Sequence, residues 1–129
     1  MATEILVNDG GAPARILPFT AASAVTAGDA LTIDSAGKVV PGATGLATGF
    51  KEYVLGYALT TVSAEELCSV ITGKGVLLKA NCAADVLTGK GAHLSSTAGR
   101  LALNTTLGQP SAVCTSGAAA IALKPIVTV

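Results

Sequence analysis

One histidine, three cysteines, a Glu-Glu pair and two Gly-Lys-Gly turns are the residues of this chain whose types suit chemistry. His93 could act as the base of a Cys–His or Ser–His–Asp site. It stands in a segment of strand character rather than a loop, so a partly buried or interface imidazole is the simpler expectation. Cys68, Cys82 and Cys114 are widely spaced on apolar, strand-like segments and read as buried free thiols. A zinc site would want paired ligands and usually a histidine, and His93 is the only one. Gly73-Lys74-Gly75 and Gly89-Lys90-Gly91 look like phosphate-cradling loops. A P-loop needs Gly, four residues, Gly-Lys and then Ser or Thr, with a helix behind it, and neither segment has that. Both are expected as turns between strands. Glu65-Glu66 are adjacent, which on a strand puts them on opposite faces, wrong for acid–base work across a cleft. Lys38 and Lys74 sit in Gly-rich turns without the acidic or methionine neighbours that a lipoyl or biotinyl carrier domain sets around its lysine. No catalytic, cofactor-binding or metal site is expected, and no enzyme.

The elements that carry these residues follow from composition. At 129 residues the chain is long enough for one domain with a modest core. Half of it is apolar but only 3% is aromatic, so the apolar content is mostly Ala, Val and Leu. Such small side chains, with many Gly and Thr and frequent turns, point to an all-β fold, a small β-sandwich or barrel of short antiparallel strands. Charged residues make up 12%, against about 25% in an ordinary soluble domain. So few charges suggest that much of the surface is covered by other chains. Mean hydropathy is +0.63 and net charge is zero, which excludes disorder. Eight basic residues scattered as singletons form no stripe for phosphates, so nucleic acid is not an expected partner. No run approaches the roughly 20 apolar residues of a membrane-spanning helix. The first residues resemble no signal peptide, so synthesis in the cytoplasm is expected.

Along the chain, a hairpin pattern occurs twice, 62 positions apart. Thr26-Ala27-Gly28-Asp29-Ala30-Leu31-Thr32-Ile33-Asp34-Ser35-Ala36-Gly37-Lys38-Val39-Val40 is the first copy. Thr88-Gly89-Lys90-Gly91-Ala92-His93-Leu94-Ser95-Ser96-Thr97-Ala98-Gly99-Arg100-Leu101-Ala102 is the second. This spacing sets Asp29 against Gly91 and Leu31 against His93. Further strands are expected over Tyr53–Thr60, Leu67–Thr72, Gly75–Ala80, Ile121–Leu123 and Pro125–Val129, with Pro41–Gly49 as connector. Ser63-Ala64-Glu65-Glu66 matches a capping box. The short β-branched run after it favours a turn into a strand instead. Residues 1–20 read as an extended N-terminal arm with two short strands, and residues 21–129 as a single β domain. The apolar end of the chain is expected to pair, within the sheet or with a neighbour.

With these pieces in order, the chain resembles the capsid cement (decoration) proteins of tailed bacteriophages. The residues that carry the resemblance are Thr26-Ala27-Gly28-Asp29-Ala30-Leu31, Leu55-Gly56-Tyr57-Ala58-Leu59, and Ala64-Glu65-Glu66-Leu67-Cys68-Ser69-Val70 leading to Gly73-Lys74-Gly75-Val76. The second hairpin, Gly91 to Leu101, completes them. The resemblance covers residues 20–123 and stops short of the arm. It implies a β-rich protein of the virion that binds the outside of the capsid and bridges neighbouring major capsid protein subunits. It also implies a homo-oligomer, with a trimer favoured over a dimer.

The expected mechanism is mechanical: modest contacts to several subunits combine into near-irreversible attachment. Ile5, Leu6, Val7, Ile16, Leu17 and Phe19 on the arm are the expected capsid or subunit contacts, adding a strand to a neighbouring sheet. Removing residues 1–12 should then weaken attachment and leave the fold intact. The alternative is a head-surface or fibre-type β module that binds a host glycan or receptor. With four aromatic residues in the chain, stacking on sugar faces has little to work with.

Overall fold

The computed structural model describes residues 5–8, 15–43, 53–103 and 110–129. All regular structure among them is β, as composition requires. After a short strand β1 (Leu6–Asn8) come β2 (Arg15–Thr20), β3 (Ala30–Ile33), β4 (Val39–Pro41), β5 (Gly56–Ala58) and β6 (Leu67–Thr72). They form one sheet in the order β2-β6-β5-β3-β4. The strands β7 (Leu77–Cys82), β8 (Gly91–Leu94), β9 (Leu101–Leu103), β10 (Ala112–Cys114) and β11 (Ala122–Thr128) form a second sheet, β7-β11-β10-β8-β9, with β1 outside β7.

The two orders are the same order. In the second sheet a parallel contact of β7 with β9, Cys82 opposite Leu101, closes a five-stranded barrel. Among the described residues the first sheet has no such strand pairing. An isolated parallel bridge between Ala21, which follows β2, and Val39 of β4 lies in the corresponding place and curls the sheet into a barrel shape held at that one point. The Ala22 N–H donates to the Val39 carbonyl at 2.9 Å, as the Ala83 N–H donates to that of Leu101 at 2.8 Å. The loop bonds repeat as well. Gly28 N–H to Ala58 O matches Gly89 N–H to Cys114 O, each at 2.8 Å. The duplication therefore spans five strands, not the hairpin alone.

Pairing also corrects the alignment of the two hairpins. Thr32 faces Val40 at the middle of the β3–β4 ladder, and His93 faces Ala102 at the middle of the β8–β9 ladder. Thr32 is thus the counterpart of His93, Leu31 of Ala92, and Asp29 of Lys90. The second copy holds its additional residue inside the turn: Asp34 N–H reaches Lys38 O, whereas Ser95 N–H reaches Arg100 O. A constant spacing of 62 slips the strand by one residue and so exchanges its faces.

A five-stranded barrel is narrow, which explains the small side chains inside. Ala21, Leu31, Val39, Ala58, Cys68 and Val70 fill the first, and Cys82, Ala92, Leu101, Cys114 and Ile126 stand in the corresponding places of the second. Between the barrels, Ala30, Tyr57 and Ile71 of the first pack into the apolar cluster of the second.

Three local expectations change. The strand foreseen over Tyr53–Thr60 is confined to Gly56–Ala58. The terminal run is one strand that passes through Pro125 between β7 and β10. The Pro125 carbonyl accepts from Thr115, just past the end of β10, so its missing N–H falls on the same side, beyond that strand. Glu65 and Glu66 lie on the turn expected to lead into β6, and not on a strand that would set them on opposite faces. Glu66 Oε1 accepts the Ser63 N–H at 2.7 Å as in a capping box, but Glu65 is left-handed (φ 68°) and no helix follows. Of the Pro41–Gly49 connector, residues 44–49 lie outside the described residues.

Candidate interaction surfaces

Five of the six residues expected to make contacts lie on the outer strands of two different sheets, and the sixth, Ile5, directly precedes β1. Val7 is 44% exposed, Leu6 is half-buried, and Ile5 is 2% exposed in the core. The Lys79 N–H donates to the Ile5 carbonyl at 2.8 Å, so the β1 segment is held inside the fold. On β2, Ile16 and Leu17 are 44% and 42% exposed, and Phe19 packs partly into the first barrel. β2 pairs with β6 along its whole length, from Arg15 opposite Thr72 to Thr20 opposite Leu67. Ile5 is therefore a core residue and not a contact, and residues 15–20 are a strand of the first barrel's sheet rather than a detached arm.

The two outer edges differ chemically. Along β2 the odd residues face β6, since Arg15 O accepts from Thr72 and the Ala21 N–H donates to Glu66. The even residues Ile16, Pro18 and Thr20 then face outward. Pro18 stands where β7 has Lys79, the residue that holds β1, and has no N–H to give. A proline at that place blunts the edge against a continuous ladder. The outward side of β1 has no proline between Leu6 and Asn8.

The buried polar groups are structural partners more than reactive centres. Asp29 is held by the Thr26 N–H (3.0 Å) and by Asn81 Nδ2 (3.4 Å), and burial raises its carboxyl above the ordinary range. Lys124, 3% exposed, donates from Nζ to Ala83 O (2.9 Å) and Val86 O (2.7 Å). All three cysteines are buried and free. Burial pushes the Cys82 thiol up to about 12 and raises Cys68, so neither supplies a thiolate near neutral pH. The Tyr57 hydroxyl is buried with no hydrogen-bond partner among the described residues.

His93 lies at a cleft of about 400 Å³ between the sheets, with Tyr53, Thr72, Lys74 and Ser111 around it. Its Nδ1 accepts the Leu94 N–H at 2.7 Å, which places the proton of the neutral ring on Nε2. His93 is 7% exposed on strand β8, the buried setting expected for it. Among the described residues no cluster of His, Cys, Asp or Glu could hold a metal ion, and no helix is long and apolar enough to cross a membrane. Gly73-Lys74-Gly75 joins β6 to β7 as a turn.

Leu67, at the start of β6, is 70% exposed and was not foreseen. Nothing in its run Leu67-Cys68-Ser69-Val70 distinguishes it from a core leucine, because the alternation that exposes it becomes visible only once Cys68 and Val70 are seen inside the barrel. Compared with known proteins, the chain matches no family model and no curated relative.

Proposed function

We propose that this protein is a structural component of a phage virion that binds the outer surface of the capsid and stabilises the shell by bridging major capsid protein subunits. The observation that carries the reading is the exposure of Val7, Ile16 and Leu17 on outer strands of a chain with only 12% charged residues. A monomer in water gains nothing from aliphatic side chains on its sheet edges, whereas an assembly buries them. The order of sequence pieces, which resembles that of the decoration proteins, is what directs the reading to a phage capsid.

The two edges take different roles in this reading. At β2, where Pro18 interrupts the donors, Ile16 and Leu17 make side-chain contact with one capsid subunit. At β1, Val7 and the outward backbone accept a strand from another. A contact of standard size buries about 1,600 Å² in total, and two such contacts tied together by one rigid protein multiply rather than add. Pulling the seam apart would then require breaking both at once.

Co-sedimentation with undecorated phage shells tests the reading. The wild-type protein is expected to pellet with the shells. Val7→Asp, and the pair Ile16→Asp with Leu17→Asp, are each expected to raise the apparent Kd on the order of tenfold or more, since each loses apolar burial and introduces a charge into the contact. Binding that is indifferent to both changes removes these edges from the mechanism.

A further inference from the structure

The junction between the two barrels is made of two unlike halves. The first barrel supplies a turn, Ala27-Gly28-Asp29-Ala30. Its Gly28 carbonyl accepts the Asn81 N–H at 2.9 Å and its Ala30 N–H donates to the Gly99 carbonyl at 2.9 Å. The second barrel supplies a receiving face built from Asn81, Gly99, Arg100 and Leu123. Approach is close on both sides. A Cβ on Gly28 would stand 2.4 Å from Leu123 Cδ2, and one on Gly99 would stand 2.7 Å from the Asp29 carboxyl carbon.

Because the barrels are copies, each also carries the half it does not use. The counterpart of the turn is Thr88-Gly89-Lys90-Gly91 on the second barrel, with Gly89 at φ 81° where Gly28 has 93°. Gly89 and Lys90 are exposed, whereas Gly28 and Asp29 are buried. The counterpart of the receiving face lies on the first barrel. Thr20 stands for Asn81, Gly37 for Gly99, Lys38 for Arg100 and Leu67 for Leu123, as the strand registers require. Leu67 is 70% exposed against 37% for Leu123, which packs on the turn. Gly37 is exposed where Gly99 is buried.

On the unused halves the charge of the turn reverses, while the face keeps a cation, Lys38 in the place of Arg100, and sets an added anion beside it. In the formed junction the turn carries an anion, Asp29, and the face carries Arg100. In the unused pair the turn carries a cation, Lys90. The face there gains Glu65, whose Oε2 lies 2.7 Å from Lys38 Nζ and whose side chain is 64% exposed. The second barrel has Ile121 at the place of Glu65.

We infer that this protein associates head to tail with copies of itself, the Thr88–Gly91 turn of one copy seating on the Thr20, Lys38 and Leu67 face of the next. Leu67 covers the Gly89 backbone as Leu123 covers Gly28. The Thr20 N–H meets the Gly89 carbonyl, and Lys90 pairs with Glu65. The two surfaces differ, so the contact is heterologous and generates a closed ring or an open chain according to its rotation. This surface is read from the fold alone and holds whether or not the protein binds a shell.

Sedimentation velocity of the purified protein over a concentration series, without shells, tests it. The wild type is expected to form species larger than the monomer, populated more as concentration rises. Leu67→Asp is expected to weaken association on the order of tenfold or more, by the burial lost and the charge introduced. Lys90→Glu is expected to weaken it too, and Glu65→Lys in the same chain to recover it. Both single changes fall on exposed side chains, and an unchanged thermal melt certifies the fold of each variant. A mixture of Leu67→Asp and Lys90→Glu proteins retains one intact turn and one intact face, so it should give a one-to-one dimer and nothing larger. A wild type that stays monomeric throughout, a Leu67→Asp protein that associates as the wild type does, or a mixture without the mixed dimer each overturns the inference.

Discussion

Asn81 holds the first barrel at two successive residues. Its N–H donates to Gly28 O at 2.9 Å and its side-chain Nδ2 donates to Asp29 Oδ1 at 3.4 Å. Arg100 Nε in turn reaches Asn81 Oδ1 at 3.4 Å. Asp29 is thus the charged centre of the junction, 7% exposed, and its counterpart in the second barrel is Lys90, which faces solvent. The divergence of Asp29 from Lys90 coincides with a contact made within the chain.

The pH dependence of stability follows from that burial. Desolvation raises the Asp29 carboxyl above 3.8 despite its hydrogen bonds, so the native protein keeps this proton to higher pH than the unfolded chain does. Below 3.8 both states are protonated and the group costs nothing. As pH rises through the window between 3.8 and the raised value, the wild type loses stability, and the loss is complete above it. Relative to Asp29→Asn, which has no such titration, the wild type should therefore be weakest at neutral pH and gain as the medium is acidified. Urea midpoints of the two proteins across that range should converge or cross toward acid; parallel curves contradict the assignment.

Lys124 occupies in the second barrel the place that Cys68 occupies in the first. It is tolerated because its ammonium satisfies the carbonyls of Ala83 and Val86 at the barrel's end. Lys124→Met keeps the apolar stem and strands both acceptors, so it is expected to cost about 1–3 kcal/mol by denaturant titration. An unchanged midpoint would show that the charge is merely accommodated.

Tyr57 offers the opposite case. Its hydroxyl is buried without a partner among the described residues, and burial holds its ionisation far above the ordinary tyrosine range. Tyr57→Phe removes the unsatisfied group and keeps the ring in place. Stability should rise by about 1 kcal/mol, read as a higher thermal midpoint. A clear loss would reveal a partner for the hydroxyl.

Ile5 and Val7 separate folding from binding within one strand. Ile5→Ala should cost about 2–4 kcal/mol, because Ile5 is 2% exposed against the second barrel's core. Val7→Asp, at a position 44% exposed, should leave the melting temperature nearly unchanged. Deleting residues 1–12 removes both at once and with them a core side chain, so loss of shell binding by that truncation cannot be assigned to contact alone.

The hairpins were legible because their turns carry their own chemistry. Asp34 Oδ1 accepts the Ala36 N–H and Ser95 Oγ accepts the Thr97 N–H, so polar residues followed by Gly37 and Gly99 announce both reversals. The flanking strands left no such mark. Phe19 stands in the place of Ala80, Ser69 in that of Pro125 and Cys68 in that of Lys124, so backbone pairing is the same in both barrels while the side chains are not. An Ala-Gly-rich sequence also leaves the choice between one sheet and a closed barrel to a single parallel contact, Cys82 with Leu101. Of the expected contact residues, Val7, Ile16 and Leu17 stand exposed; Ile5 was misplaced because an aliphatic residue before a loop reads alike in an arm and in a core.

A density map of undecorated phage shells incubated with this protein tests the central claim most directly. The account predicts density on the outer surface that fits the two barrels, touches at least two major capsid subunits, and meets them through the outer sides of β1 and β2. Shells that carry no such density at saturating protein, or density confined to a single subunit, would contradict it.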